Sequence, residues 1–208
     1  MSRGNPRAKR IFDLAISLPI WTLSLPLQGV VALAIRFALG KPVLFRQLRP
    51  GLHGEPFELV KFRTLLEIDP ERGLVDDADR MTRLGRWLRS TSLDELPTLW
   101  NVVKGDMSLV GPRPLLMRYL PRYSAEQARR HEVRPGITGL AQVSGRNALT
   151  WEEKFRFDVE YVDTHTLGGD LRILAATVRS VFVREGISAD GAATAHEFLG
   201  LDEPESDE

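Results

Sequence analysis

Leu14 to Ile35 is a run of 22 residues without a charged side chain, LAISLPIWTLSLPLQGVVALAI, and it limits the fold more than any other stretch of the chain. As a straight helix it would reach roughly 33 Å, enough to cross the hydrocarbon core of a bilayer. Pro19 and Pro26 interrupt it, each removing a backbone donor and favouring a kink. Ser17, Thr22, Ser24 and Gln28 make it polar for a lipid-facing span. Both flanks are basic, with Arg3, Arg7, Lys9 and Arg10 before it and Arg36, Lys41, Arg46 and Arg49 after it. Lys/Arg-rich flanks stay on the cytoplasmic side, so two of them predict a segment that enters the membrane, bends near Pro26 and returns to the same face. A buried helix of a soluble protein and a single span are the competing readings. A cleaved signal peptide fits poorly, because the apolar run is long and no A-x-A site precedes a mature domain.

The overall charge hides this arrangement. Of 208 residues, 28 are Lys or Arg and 28 are Asp or Glu, which excludes a generally basic nucleic-acid binder. The first 50 residues nevertheless carry eight basic side chains against one acid, Asp13, while Asp202 to Glu208 holds five acids and no base. The absence of cysteine excludes disulfides, thiolate metal sites and thiol nucleophiles.

Beyond the apolar run, Pro42–Phe45 and Pro56–Val60 read as short strands around a turn at Arg49-Pro50-Gly51, and 67–79 as an acidic surface loop. Residues 78–88 read as one amphipathic helix with Arg80, Arg83, Arg86 and Arg89 along a stripe, suited to solvent, to headgroups or to a phosphate site. Ser92-Leu93-Asp94-Glu95 fits a capping box opening a helix through Leu96, Leu99, Trp100 and Val103. Ser124 and Thr150 open two more. Trp151, Phe155, Val159 and Val162 face inward on the second of these, and Leu174, Ala175, Val178 and Phe182 form the apolar side of a last helix. The expected fold is mostly α with minor β (α+β), divided into a re-entrant membrane helix (1–40), a small globular cytoplasmic domain (41–190) bordered by amphipathic interfacial helices, and a mobile acidic tail (191–208).

Few arrangements could carry chemistry. The four histidines are scattered, and no P-loop, nucleophile elbow or G-x-G-x-x-G follows a strand. What remains is the pair Asp94-Glu95, with Arg89 before it and Lys104 and Gly111-Pro112-Arg113-Pro114 after it. Two adjacent carboxylates suit a divalent metal, or a nucleophile with an acid/base neighbour; equally, Glu95 suits the capping box and Asp94 the helix dipole. Gly-Pro-Arg-Pro is a rigid loop presenting a guanidinium, which matches phosphate in a bidentate way. Arg134-Pro135-Gly136-Ile137-Thr138-Gly139 could expose backbone amides to an anion, and Gly145-Arg146-Asn147 is a third turn of the same style. Together they predict an anionic, phosphorylated ligand.

In order along the chain, KRIFD (9–13), PVLFRQLRPG (42–51), VKFRT (60–64), RSTSLDELPTLWNVVKGDMSLVGPRPLL (89–116), RPGITGLAQVSGRNALTWEEKF (134–155), DVEYVD (158–163) and DLRIL (170–174) resemble the bacterial sugar transferases, the monotopic polyprenyl-phosphate phosphoglycosyl transferases. The likeness runs from about residue 9 to about residue 190 and is to the smallest members, so no counterpart of the larger members' extra N-terminal membrane domain is expected. One departure falls at the bend. Relatives often have Ser-Pro there, whereas Leu25 precedes Pro26 here and Ser24 lies one position early, leaving Ser24 or Gln28 to take the serine's part.

The resemblance implies transfer of a sugar 1-phosphate from a UDP-sugar to polyprenyl (undecaprenyl) phosphate, with release of UMP, at the cytoplasmic face of the bacterial inner membrane. It implies Asp94 as the nucleophile forming a covalent phosphosugar intermediate, Glu95 as its partner, and a magnesium ion held at Asp94. Lys61, Arg89 and Arg113 match basic positions expected to bind phosphate, and Asp158 and Asp170 match later acids expected near the substrate. The 145–151 stretch resembles members acting on N-acetylated hexoses. The bilayer is an expected partner, nucleic acid is not, and a homo-oligomer is compatible. A non-catalytic adaptor binding anionic lipid and a nucleotide-sugar hydrolase are the rival readings.

Overall fold

The computed structural model describes residues 5–145 and 148–183 together with 197, 198 and 200. The apolar segment is one helix, α1 (Pro6–Ala38), started by Pro6 in its first turn and by the Asn5 side chain, which accepts from the Arg7 amide at 2.9 Å. It is assigned as one helix through both Pro19 and Pro26. Local side-chain bonds support this stretch. Thr22 Oγ1 donates within reach of the Leu18 and Pro19 carbonyls (3.0 Å each), Ser24 Oγ donates to the Trp21 carbonyl (2.9 Å), and Gln28 Nε2 donates to Ser24 Oγ (2.9 Å).

Both ends of α1 grip the same globular domain. Near the N-terminus, Arg10 donates to the carbonyls of Val102 and Val103 (2.5 and 2.7 Å) at the end of α4 (Thr98–Lys104), where a cation suits the helix dipole. Asp13, 2% exposed, accepts from the Leu109 amide at 3.2 Å, and Trp21 stacks on Trp100 at 5.0 Å. Toward the C-terminus, Val31 and Ile35 are buried against Phe62 and Leu88, and Arg63 donates to the Leu39 carbonyl. Between these anchors an apolar face has no protein cover: Leu23 is 81% and Phe37 85% exposed, and Ile20, Leu27, Val30 and Leu33 are exposed with them.

β1 (Leu44–Pro50) and β2 (Pro56–Phe62) form an antiparallel hairpin that pairs Phe45 with Lys61. The free edge of β2 is closed by α4, not by a third strand. Asn101, fully buried, donates to the Glu58 carbonyl (2.7 Å) and accepts from the Val60 amide (3.2 Å), while Thr98 donates to the Val60 carbonyl (2.9 Å). Backbone groups that an edge strand would leave open are thereby satisfied. α4 is thus fixed beside Lys61.

The arginine-striped stretch is two helices, α2 (Asp77–Arg80) and α3 (Arg83–Ser90), instead of one. Thr82 breaks it, because its side chain caps α3 by accepting from the Gly85 amide at 2.9 Å. Gly85 itself sits where α3 crosses residue 64; a Cβ there would lie 1.9 Å from the Thr64 carbonyl oxygen. Gly85→Ala is therefore expected to cost roughly 3 kcal/mol or more of stability, since backbone and not a flexible side chain must move; denaturant unfolding checks it.

A second core packs β3 (Ser108–Val110) parallel to β4 (Gly136–Thr138). α5 (Ala125–Ala128) and α7 (Trp151–Thr164) start with complete capping boxes at Ser124 and Thr150, as their sequences predict. α6 (Leu140–Ser144) and α8 (Leu167–Val183) complete the described elements. On α8, Leu174 packs against the core as expected, beside buried Ile173, whereas Val178 is 56% exposed and Asp170 is buried against Tyr161; the Phe182 side chain lies outside the described residues.

Candidate active site

Asp94 and Glu95 lie on a single 3₁₀ turn, Leu93–Glu95, between α3 and α4. The capping box expected here is not formed. Ser92 takes the left-handed conformation (φ 55°), its side chain makes no cap bond, and α4 starts only at Thr98, after Pro97. A left-handed serine is an uncommon conformation, retained where the surroundings impose it. It reverses the chain after α3 and turns both carboxylates toward the end of β2.

Glu95 is held by two cations. Lys61 Nζ donates to Glu95 Oε1 at 2.5 Å and Arg113 Nη2 to the same oxygen at 3.1 Å. Burial alone would raise this carboxyl, but Lys61 and Arg113 overturn that and hold it at about 2. Burial pulls the Lys61 ammonium below its ordinary value, with Glu95 opposing. Asp94 is treated the other way. Burial and then the charge of Glu95 push it up to about 6, against the pull of Lys61, Arg89 and Arg113. Two neighbouring carboxylates thus hold different protonation ranges, one locked as an anion and one exchanging its proton near neutrality.

Arg89 is a third cation beside the pair, and Arg49 lies behind Arg113. Arg89 Nε donates to Thr64 Oγ1 at 3.0 Å, an arrangement that the close approach at Gly85 permits. Arg113 is half-exposed, and its remaining N–H groups carry no hydrogen bond among the described residues. Arg49, which sequence reasoning passed over, reaches the Pro114 carbonyl (3.3 Å) and Gln47 Oε1 (2.6 Å). Burial and then Arg113 lower it to about 10. No periodicity signals this role, since Arg49 meets residue 114 only through the fold.

The structure brings Lys61, Arg89, Asp94, Glu95 and Arg113 together; it does not bring Asp158 or Asp170 to them. Asp158 is buried against Arg130, which donates through Nη2 and Nε at 2.6 and 3.1 Å and also through Nη2 to the Arg113 carbonyl at 2.8 Å. Asp170, fully buried, meets the Tyr161 hydroxyl at 2.8 Å and Lys9 Nζ at 3.0 Å, tying α8 to α1. Both acids are thus engaged in ion pairs within the fold.

The Gly136 amide is already used: it donates to the Pro112 carbonyl (3.0 Å) beside the β3–β4 pairing, and the Arg134 side chain donates through Nε to the Gly105 carbonyl (2.9 Å). A Cβ on Gly136 would lie 2.1 Å from the Gly111 nitrogen, so glycine here serves backbone crossing. Arg146 and Asn147 lie outside the described residues.

For a metal, Asp94 offers one hard oxygen ligand, and no cluster of three or more His, Cys, Asp or Glu is found among the described residues. That donor set fits magnesium in the mode in which a carboxylate, substrate phosphates and water share the ion.

Such a site, set beside an uncovered apolar helix, suits an enzyme handling anionic groups at a membrane surface. The chain belongs to the bacterial sugar transferase family, whose model matches residues 4–184. It is 52% identical over 193 residues to the uncharacterized sugar transferase EpsL of Bacillus subtilis, covering 92% of this chain and 96% of the relative. It is 42% identical over 188 residues to the UDP-glucose:undecaprenyl-phosphate glucose-1-phosphate transferase of Caulobacter vibrioides (85% and 70%). Identity to the undecaprenyl-phosphate galactose phosphotransferase of Salmonella typhimurium is 39% over 202 residues, 88% of this chain and 42% of that longer relative.

Proposed function

We propose that this chain transfers a hexose 1-phosphate from a UDP-sugar to undecaprenyl phosphate and releases UMP, with Asp94 as the nucleophile. The split between a carboxyl at about 6 and its neighbour at about 2 carries this reading, because it separates a group that can react from a group that organises cations. A carboxylate oxygen of Asp94 attacks the sugar-bearing phosphorus, and the bond from that phosphorus to the UMP oxygen breaks. An oxygen of the lipid phosphate then attacks the same phosphorus and the aspartyl bond breaks, returning Asp94 as a carboxylate. Glu95 keeps Lys61 and Arg113 in place while charge moves onto the departing phosphate, and Arg89 and Arg113 orient the diphosphate. Magnesium, bound at Asp94 and the substrate phosphates, would neutralise the diphosphate's charge.

Membrane placement follows the same logic. A polar domain that grips Arg10 and Leu39 at opposite ends of α1 stays in water, which supports entry and return on one face with Leu23, Leu27 and Leu33 in lipid. Exposed Trp87 beside Arg83 and Arg86 on α3 suits the headgroup layer of the cytoplasmic leaflet.

Since Asp94 reacts ionised, kcat/KM is expected to fall about tenfold per pH unit below about 6. In Glu95→Gln the like charge disappears and Lys61 and Arg113 lose their partner, so the remaining activity should show an acid limb displaced to lower pH. A pH–rate profile of both proteins checks this.

The deciding assay incubates the full chain with a panel of UDP-sugars, with and without undecaprenyl phosphate. UMP release that requires the lipid phosphate is expected; lipid-independent release would indicate a hydrolase, and no release an adaptor. The relatives' names carry glucose and galactose, while residues 145–151 suggest an N-acetylated hexose, and the panel decides between them.

A further inference from the structure

Two residues from the acidic C-terminal region pack against the domain instead of lying free. Phe198 is 4% exposed inside a cage of Tyr119, Tyr123, Trp151 and Phe155, with ring centroids 5.7, 5.9, 5.6 and 4.9 Å away. Glu197 meets Arg118 at 2.9 Å and Arg122 at 3.0 Å. The main chain is met as well: Arg122 donates to the Phe198 carbonyl, and the Phe198 amide donates to the Tyr119 hydroxyl at 3.3 Å. Shape, charge and backbone pairing all agree on this dipeptide.

The cage is also the seat of Arg130. The Arg130 guanidinium lies 5.7 Å from the Tyr123 ring and 5.5 Å from the Phe155 ring, and Nη1 donates to the Tyr123 hydroxyl at 3.1 Å. Nη2 of the same guanidinium holds the Arg113 carbonyl at 2.8 Å, and the Arg113 side chain reaches Glu95. Phe198 therefore presses on the two rings that fix Arg130, which in turn fixes the backbone beneath Arg113.

The geometry points to Glu197-Phe198 as a C-terminal clip that positions Arg113 for the anionic substrate through Tyr123, Phe155 and Arg130. The proposal rests on the reading of Arg113 as a diphosphate ligand. Phe198 is a positioning residue, since it touches neither carboxylate of the pair. Removing its ring frees Tyr123 and Phe155 to relax, and the loss falls on substrate affinity.

The test uses the full chain carrying Phe198→Ala and a peptide of residues 195–202. UDP binding, read by calorimetry, is expected to weaken about tenfold; KM for the UDP-sugar should rise by a similar factor with kcat within about twofold. Adding the peptide should perturb Trp151 fluorescence saturably and restore UDP affinity, where a scrambled peptide does neither, and Phe198→Leu should recover most of the loss. Unchanged UDP affinity in Phe198→Ala would overturn the proposal. So would a parallel fall in kcat and thermal stability that neither the peptide nor Leu repairs, because that describes packing alone. If wild type binds UDP but transfers nothing, the functional reading fails, and the binding arms still judge the clip.

Discussion

Asp94→Asn is expected to lower lipid-dependent UMP release by roughly 10³-fold or more while making the folded chain more stable at pH 7. The two effects share a cause. An ordinary aspartate ionises near 3.8, whereas burial and Glu95 raise Asp94 to about 6, so keeping it charged at neutrality costs the folded state roughly 2–3 kcal/mol. The stability linked to a raised carboxyl is fully present below its unfolded value of 3.8 and is lost as pH climbs through about 6. Asparagine has no such loss. Denaturant melts should therefore show the variant ahead of wild type at pH 7, with the gap closing between about 6 and 4. A variant that is inactive because it misfolds would show the reverse, so thermal and kinetic readings together separate a missing nucleophile from a damaged fold.

Lys61→Met is the second large effect. Glu95 keeps Arg113 but loses the shorter of its two ion pairs, in a place where both partners' side chains are about one-fifth exposed. Leaving a partly buried carboxylate short of a cation should cost roughly 2–4 kcal/mol, and Glu95 should move up from about 2. Glu95's contribution to stability is present above its unfolded value of 4.5 and is lost as pH falls toward 2, so wild type and Lys61→Met should converge in acid. Activity should fall by at least about 10²-fold, because Arg113 is then drawn further onto Glu95 and away from phosphate. Lys61→Met with Glu95→Gln should recover much of the stability and none of the activity. That cycle measures the pair itself, and additive single effects would show that Lys61 and Glu95 do not act as a unit.

The parts of this account that lie close together in sequence could be read from it. The capping boxes at Ser124 and Thr150 formed, the apolar run became one long helix, and Asp94-Glu95 lies with Arg89 and Arg113; Lys61, which the family resemblance supplied, joins them across the fold. Local pattern misled where a tertiary partner outbid it. Glu95 fits S-x-x-E, yet a lysine 34 residues away takes the carboxylate, and Ser92 bends into the left-handed region to permit it. Gly136 reads as an anion nest, yet its amide is used in strand pairing. Asp158 and Asp170, expected near the substrate from the resemblance, are paired with Arg130 and Lys9, and ion pairs across the fold leave no periodicity. Phe198 was hidden by composition: one aromatic in an acidic tail reads as solvated until its cage exists. The two prolines lie inside one helix, where Thr22 and Ser24 supply bonds to nearby carbonyls.

Whether Asp94 itself carries the sugar phosphate between donor and lipid is tested by intact-mass measurement of the full chain, mixed with the UDP-sugar that supports turnover and no lipid phosphate. Up to one equivalent of UMP is expected, with a mass gain equal to one sugar phosphate, mapped by peptide analysis to Asp94, absent in Asp94→Asn, and discharged when undecaprenyl phosphate is added. UMP formed only when both substrates are present, with no adduct at any time, or an adduct on a residue other than Asp94, would contradict it.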